Sequence, residues 1–249
     1  MIDWTKLTRD PVDAAVRRTM KAWLLERRRN LPRNDYDSFL VDSVKGKAVL
    51  DIGICEHTLE RINSPKWKHR LIKDNAARCV GVDIIEDLVQ ALVAKGFDVV
   101  CQDATSDAYL GETFDVVHIG DVIEHVPDPT RLLAFAARHL APGGKILVRT
   151  PNPHNFDYQR HAHLDGISVE NMEHISYIVP FHALELARRT GLQFSGYWTM
   201  APGRFSTIGI KRALVDLAGM RWRHAFNELF GEPNTYTTIF VYAFSKQDL

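Results

Sequence analysis

KAVLDIGICEH, Lys47 to His57, is the stretch on which the fold turns. Its apolar run reads as a buried strand that ends in an acid, Asp51, with Gly53 two residues on. Where further glycines would keep such a loop close to a ligand, Cys55 and His57 stand instead. Downstream the texture repeats. CVGVDI is a second strand, ending at Asp83, and IEDLVQALVAKG is a helix that Gly96 closes. FDVVCQD and FDVVHIGD are a third and a fourth strand. DPTRLLAFAARHL is a helix with Asp128 as N-cap and Pro129 at its first position. APGG stops it, and KILVRT is a fifth strand. Strands alternating with helices imply βαβ units and a parallel sheet.

Upstream, the pattern from Pro11 to about Arg29 is helical, with Val12, Val16, Met20 and Trp23 on one stripe. LPRNDYDSF reads as a loop leading into more structure. After Pro151 the alternation pauses, and residues 152–179 look irregular and rich in His, Asn and Asp. PFHALELARRTG restores a helix. LQFSGYWTM and YTTIFVYAFS read as strands, with the helical IGIKRALVDLAGMRWRHAFNELFG between them.

Bulk composition narrows the class without naming a partner. The chain has 249 residues, 45% apolar and 25% charged, which is ordinary for a globular protein with a sizeable core. Basic and acidic residues balance at 31 each, so global charge favours no particular partner. The run Arg27-Arg28-Arg29 belongs to a basic helix, read first as a solvated face and second as a surface for an anionic substrate, RNA or lipid headgroup. Three widely spaced cysteines with no CxxC imply a reduced, cytoplasmic setting. The start of the chain lacks the apolar core of a signal peptide, and no apolar run reaches membrane-span length.

Open parallel sheets bind ligands beyond the carboxyl ends of their strands. Asp51, Asp83, Asp103 and Asp121 follow strands one to four at those ends. With these residues in view, residues 47–151 resemble class I S-adenosylmethionine-dependent methyltransferases. VLDIG is similar to their first motif, GVDI to the second, CQDATS to the third, FDVVHIGDVIEHVPDP to the fourth and LAPGGKILVRTPNP to the fifth. The resemblance implies an α/β fold: a Rossmann-like, seven-stranded, mostly parallel sheet with flanking helices and a cap from insertions. It divides the chain into an N-terminal helical segment, 1–46, and a methyltransferase domain, 47–249, with cap insertions at about 152–180 and 202–234. The two late strands correspond to the reversed sixth and seventh strands of that fold.

The same resemblance implies S-adenosylmethionine as cofactor, held by Asp51, Gly53, Cys55, Asp83, Ile84, Asp103, Ala104 and Gly120. The chemistry agrees. A carboxylate at Asp83 can accept both ribose hydroxyls, Ile84 can lie on an adenine face, Asp103 can accept the adenine amino group, and the Ala104 N–H can reach a ring nitrogen. The cofactor carries a cationic sulfonium and no pyrophosphate. It needs acids and close backbone more than a phosphate loop, so Gly53 alone can serve where the family has three glycines.

DVIEHVPDP follows strand four, where an acceptor would meet the methyl group. Asp121, Glu124 and His125 stand at i, i+3 and i+4 and converge if the segment turns once. Three roles fit them. His125 can be a general base. Asp121, Glu124 and His125 can bind a divalent metal (Mg or Mn) with His174 as fourth ligand, an arrangement that resembles plant small-RNA 2′-O-methyltransferases and the E-x-x-E-H-V turn of ubiquinone-pathway O-methyltransferases. Or the turn is a hydrogen-bonded structural element. HAHLDG places His161, His163 and Asp165 at alternating positions in a segment read as a lid, with Tyr158, His161 and His163 as further substrate contacts. Tyr197, Trp198 and Phe205 read as core or pocket wall, and Arg221, Trp222 and Arg223 first as an exposed helix face and second as a contact for an anionic substrate.

The expected activity is S-adenosylmethionine-dependent O-methylation of a small molecule, sugar or glycan/lipid precursor. An RNA 2′-O-methyltransferase and a non-catalytic S-adenosylmethionine-binding protein are the alternatives. Oligomeric state is not legible in the sequence.

Overall fold

The structure, a computed structural model, describes residues 1–200 and 238–247 apart from residues 57, 156, 157, 159, 160, 163–165 and 170. The strands are β1 (Arg28–Asn30), β2 (Ala48–Ile52), β3 (Arg78–Asp83), β4 (Val99–Cys101), β5 (Phe114–Gly120), β6 (Leu140–Pro151), β7 (Leu192–Thr199) and β8 (Ile239–Lys246), and the helices are α1 (Ala14–Glu26), α2 (Tyr36–Val44), α3 (Leu59–Ile62), α4 (Lys68–Asn75), α5 (Glu86–Ala94), α6 (Pro129–Arg138) and α7 (Pro180–Thr190). They form one sheet in the order β1-β7-β8-β6-β5-β2-β3-β4. Among the described strands, β8 alone is antiparallel to its neighbours.

The seven expected strands are present, and an eighth corrects the reading of the N-terminal segment. Arg28, Arg29 and Asn30 do not end a helix; they pair in parallel with Tyr197, Trp198 and Thr199. All three are exposed, so backbone pairing holds them and no apolar side chain announces them. A second correction concerns LPRNDYDSF. The chain turns helical at Tyr36, giving α2 (Tyr36–Val44), because the Asp35 carboxylate accepts the Asp37 N–H as an N-cap.

Period-two alternation fixes which side chains reach which face. Leu50 and Ile52 of β2, with Val117 and Ile119 of β5, face α1 (Ala14–Glu26), α6 (Pro129–Arg138) and α7 (Pro180–Thr190). Val49 and Val116 face α2 and α4 (Lys68–Asn75). Apolar burial on both faces is the usual condition of a parallel sheet. The intervening positions, Asp51 and His118, share the α2/α4 face and are register partners. Strand order runs outward from β2 in both directions, so a topological switch point lies between β2 and β5. Among the described residues, no helix is long and apolar enough to cross a membrane.

Candidate active site

A cleft of about 1180 Å³ opens at the carboxyl ends of the central strands. Asp51, Gly53, Cys55, Asp83, Ile84, Asp103, Ala104 and Gly120 all line it, as do Asp121, Glu124, His125 and His174. His57 lies outside the described residues.

Two of the strand-end acids hold their own loops while facing the cleft. Asp83 accepts the Cys55 N–H at 2.7 Å and the Ile85 N–H at 3.1 Å, so it ties the loop after β2 to the end of β3. Burial, then the Asp83 carboxylate beside it, pushes the Cys55 thiol up and keeps it neutral. Asp103 accepts the N–H and the hydroxyl of Thr105, both at 2.7 Å and both on Oδ1. Beside these acids Ile84 is 68% exposed, an apolar side chain open to the cleft on which a flat aromatic ligand can lie.

Gly53 has φ +81°, and a Cβ there would lie 2.1 Å from Val122 Cγ2. The glycine is therefore required twice, by its left-handed backbone and by the approach of the Asp121–His125 turn. Gly53→Ala is expected to lower stability by about 1–3 kcal/mol; an unchanged denaturation midpoint would show that the two loops do not press on each other.

Asp51, one of the expected cofactor residues, lines the cleft and anchors its floor. Its Oδ1 accepts from His118 Nδ1 at 2.6 Å and its Oδ2 from His69 Nδ1 at 2.8 Å. The other ring nitrogen of His118, Nε2, shares a 2.7 Å hydrogen bond with the Tyr36 hydroxyl. All four side chains are buried. Burial works to raise the Asp51 carboxyl, but the charge and hydrogen bond of His118, followed by those of His69, outweigh it and hold the group at about 2. Both carboxylate oxygens of Asp51 are thus engaged by histidines.

The turn after β5 divides its three candidates. Asp121 does not join Glu124 and His125: its carboxylate forms an ion pair with Arg149 of β6, the register partner of Gly120. Glu124 is fully buried, accepting the Thr150 hydroxyl on Oε2 at 3.0 Å. Burial raises its carboxyl to about 7, against the opposing pull of its hydrogen bonds. Its backbone carbonyl accepts the N–H groups of Ile175 and Ser176, which brings His174 over the turn. His174 Nε2 is 3.9 Å from Glu124 Oε1, and the His125 and His174 rings meet edge-on with centroids 4.7 Å apart. One ligand atom each from Glu124, His125 and His174 falls within 4.8 Å of the others.

Sequence reading missed Tyr36, His69, His118 and Arg149, all of which line the cleft. The polar His118 inside the apolar run FDVVHIG was the one available signal for the buried network. Of the weaker candidates, Tyr197 is buried in the main core, and Trp198, partly buried, packs at a tilt against Phe39 with ring centroids 5.0 Å apart, as expected of core residues. Tyr158 and His161 do not line the cleft. His163, Asp165, Phe205, Arg221, Trp222, Arg223 and the expected 202–234 insertion lie outside the described residues.

Comparison with known proteins fits this geometry. A profile described as a methyltransferase domain matches residues 18–194. A ubiquinone biosynthesis O-methyltransferase of Coxiella burnetii is 35% identical over 121 residues, 44% of this chain and 46% of that protein. One from Xanthomonas oryzae pv. oryzae is 27% identical over 162 residues, 61% of this chain and 59% of that one. The chain therefore spans about half the length of the curated relatives it matches. The crystal structure of a SAM-dependent methyltransferase from Archaeoglobus fulgidus shares the fold, with TM-score 0.52 and 19% identity over 92% of this chain and 94% of that one.

Proposed function

This chain belongs to the methyltransferase-domain family, and on that premise we propose that it is an S-adenosylmethionine-dependent O-methyltransferase acting on a small hydroxyl compound. One observation carries the reading: Asp83, Ile84 and Asp103 open on the same cleft as the Glu124–His125–His174 cluster. The first set offers acceptors and an apolar face for an adenosine. The second stands beside it with groups able to take a proton. When bound, the cofactor would supply a sulfonium methyl for in-line transfer to an acceptor oxygen, with sulfur keeping the electron pair of the S–CH₃ bond. Asp83, Ile84 and Asp103 would hold its adenosine and His125 would take the hydroxyl proton. The protein aligns the reactants, excludes water and removes one proton.

A methyl-release assay tests this with diols, catechol-type compounds, sugars and RNA offered in parallel. Turnover on the small acceptors at both low and high salt supports the proposal. Turnover on RNA alone, collapsing steeply as salt rises, contradicts it.

The same cluster supports a second role. Glu124 Oε1 is buried with no hydrogen-bond partner among the described residues, and two imidazoles lie within ligating reach of it. This mixed oxygen and nitrogen donor set fits a divalent ion such as Mg²⁺ or Mn²⁺, with Glu124, His125 and His174 as the residues that would hold it. Such an ion, when bound, supplies Lewis acidity that lowers the pKa of an acceptor hydroxyl. Elemental analysis of the purified protein is then expected to find one divalent ion per chain, and His174→Ala to lose it. Full turnover in chelator, with no metal found, ends this second role and leaves the first.

A further inference from the structure

The cleft has room and charge that the methyl donor does not use. Its volume of about 1180 Å³ exceeds the roughly 300–1,000 Å³ of a pocket for one small ligand, so a second molecule fits beside the donor. On the wall formed by the segment between β2 and α4, Arg61, Lys66 and Lys68 all line it. Lys68 is taken: its ammonium pairs with the Asp37 carboxylate of α2 at 2.5 Å. Arg61 and Lys66 are exposed, and among the described residues neither side chain forms an ion pair or a hydrogen bond. Only their backbone is engaged, the Arg61 N–H donating to Thr58 Oγ1 at 3.4 Å and the Lys66 N–H to Ser64 Oγ at 3.1 Å. Glu56, the acid of this segment that lines the cleft, pairs with neither. The segment is fixed from below. Ile62 and Trp67 are buried in one small core with Ile54, Leu88 and Leu92, and the Trp67 indole N–H donates to the Ile54 carbonyl at 2.7 Å. Arg61 and Lys66 each stand next to one of these anchors, so the backbone that presents them is set before any ligand arrives.

Free cations in a cleft for a cationic donor need a reason. S-adenosylmethionine carries a sulfonium, an ammonium and one carboxylate, so its net charge is positive. Two more positive charges on the wall repel it to the extent that solvent does not screen them. An anion on the second molecule removes that repulsion and gives each cation a partner. We propose that Arg61 and Lys66 select a methyl acceptor that bears an anionic oxygen group, a carboxylate or a phosphate ester, in addition to the hydroxyl that is methylated. Arg61 offers a planar fork to two anion oxygens, and Lys66 offers a compact charge on a flexible stem. Both stay partly solvated, so each is worth about three- to tenfold in affinity. The inference rests on the proposed function and narrows its acceptor from small hydroxyl compounds at large to negatively charged ones. Carboxylate and phosphate share the chemistry, and the test separates them.

Calorimetry on protein saturated with S-adenosylhomocysteine reads acceptor binding without turnover. Three probes share a sugar scaffold: glucose, glucuronate and glucose 6-phosphate. Two share a catechol: 3,4-dihydroxybenzoate and its neutral carboxamide. On at least one scaffold the anionic member is expected to bind about tenfold or more tightly than the neutral one, and the preference to shrink as salt rises. Whether carboxylate or phosphate gains more identifies the source of the charge. With Arg61→Gln and Lys66→Gln combined, the preference should fall to about threefold or less, while S-adenosylhomocysteine affinity stays at its wild-type value. That value checks the fold and keeps the donor's own contacts out of the result. Equal binding of charged and neutral probes on both scaffolds overturns the proposal, as does a preference that survives the double substitution. A loss of S-adenosylhomocysteine affinity in the double variant overturns it too, by giving the cations to the donor. Wild-type protein that fails to bind S-adenosylhomocysteine at all brings down the methyl-donor reading itself, and the acceptor site with it.

Discussion

Asp51→Ala is expected to cost about 3–5 kcal/mol of folding stability, the usual loss when one member of a buried ionic network is removed. The residue is only 3% exposed and serves two histidines that are each 2% exposed. Alanine would leave the Nδ1–H groups of His69 and His118 buried without their acceptor, and would free His118 to abandon Tyr36. Asp51→Asn keeps the shape and one acceptor oxygen, so it should lose less. A pH series adds an independent check. The Asp51 carboxyl is held at about 2 against an ordinary 3.8. Its contribution is therefore present above the unfolded value and is lost as pH falls from about 4 through 2, a loss of about 2 kcal/mol. Urea denaturation should show that acid limb in the wild-type protein and a shallower one in Asp51→Asn. Equal stabilities for Asp51→Ala and wild type would mean the network carries no load.

His125→Ala is expected to reduce turnover by about 10²–10⁴-fold, the range for removal of a positioned proton acceptor. The side chain lines the cleft and groups with Glu124 and His174, not with Asp83 or Asp103. Cofactor affinity should therefore stay close to wild type while the chemical step suffers. Single-turnover methyl transfer with cofactor saturating separates the two quantities. A variant with wild-type turnover would remove His125 from the chemistry, and one with equally damaged cofactor binding would make the residue structural.

The sequence made most of the sheet legible, and the parts it hid have physical reasons. The apolar runs around Leu50, Val82, Val117 and Leu147 gave their strands away because both faces of a parallel sheet are buried. The end of α7 was legible because Gly191, at φ +70°, marks it. β1 was not, because Arg28, Arg29 and Asn30 are exposed and no apolar side chain marks the strand. At the site, the strand-end acids were visible one by one, but their partners were not. His69, Asp51, His118 and Tyr36 are far apart in the chain, and only the Asp51–His118 register and the packing of α2 and α4 on that face assemble them. Asp121 looked like a companion of Glu124 and His125 from its spacing. Its positive φ turns it instead toward Arg149, a residue that spacing within the turn could not point to.

Titration of S-adenosylmethionine into the wild-type protein and into Asp83→Ala tests the central claim most directly. The wild-type protein should bind, and the variant should bind more weakly by on the order of 1–3 kcal/mol, the worth of charged hydrogen bonds to the ribose. Absence of binding to the wild-type protein, or equal affinity in the two, would contradict the assignment of this cleft to an adenosyl sulfonium.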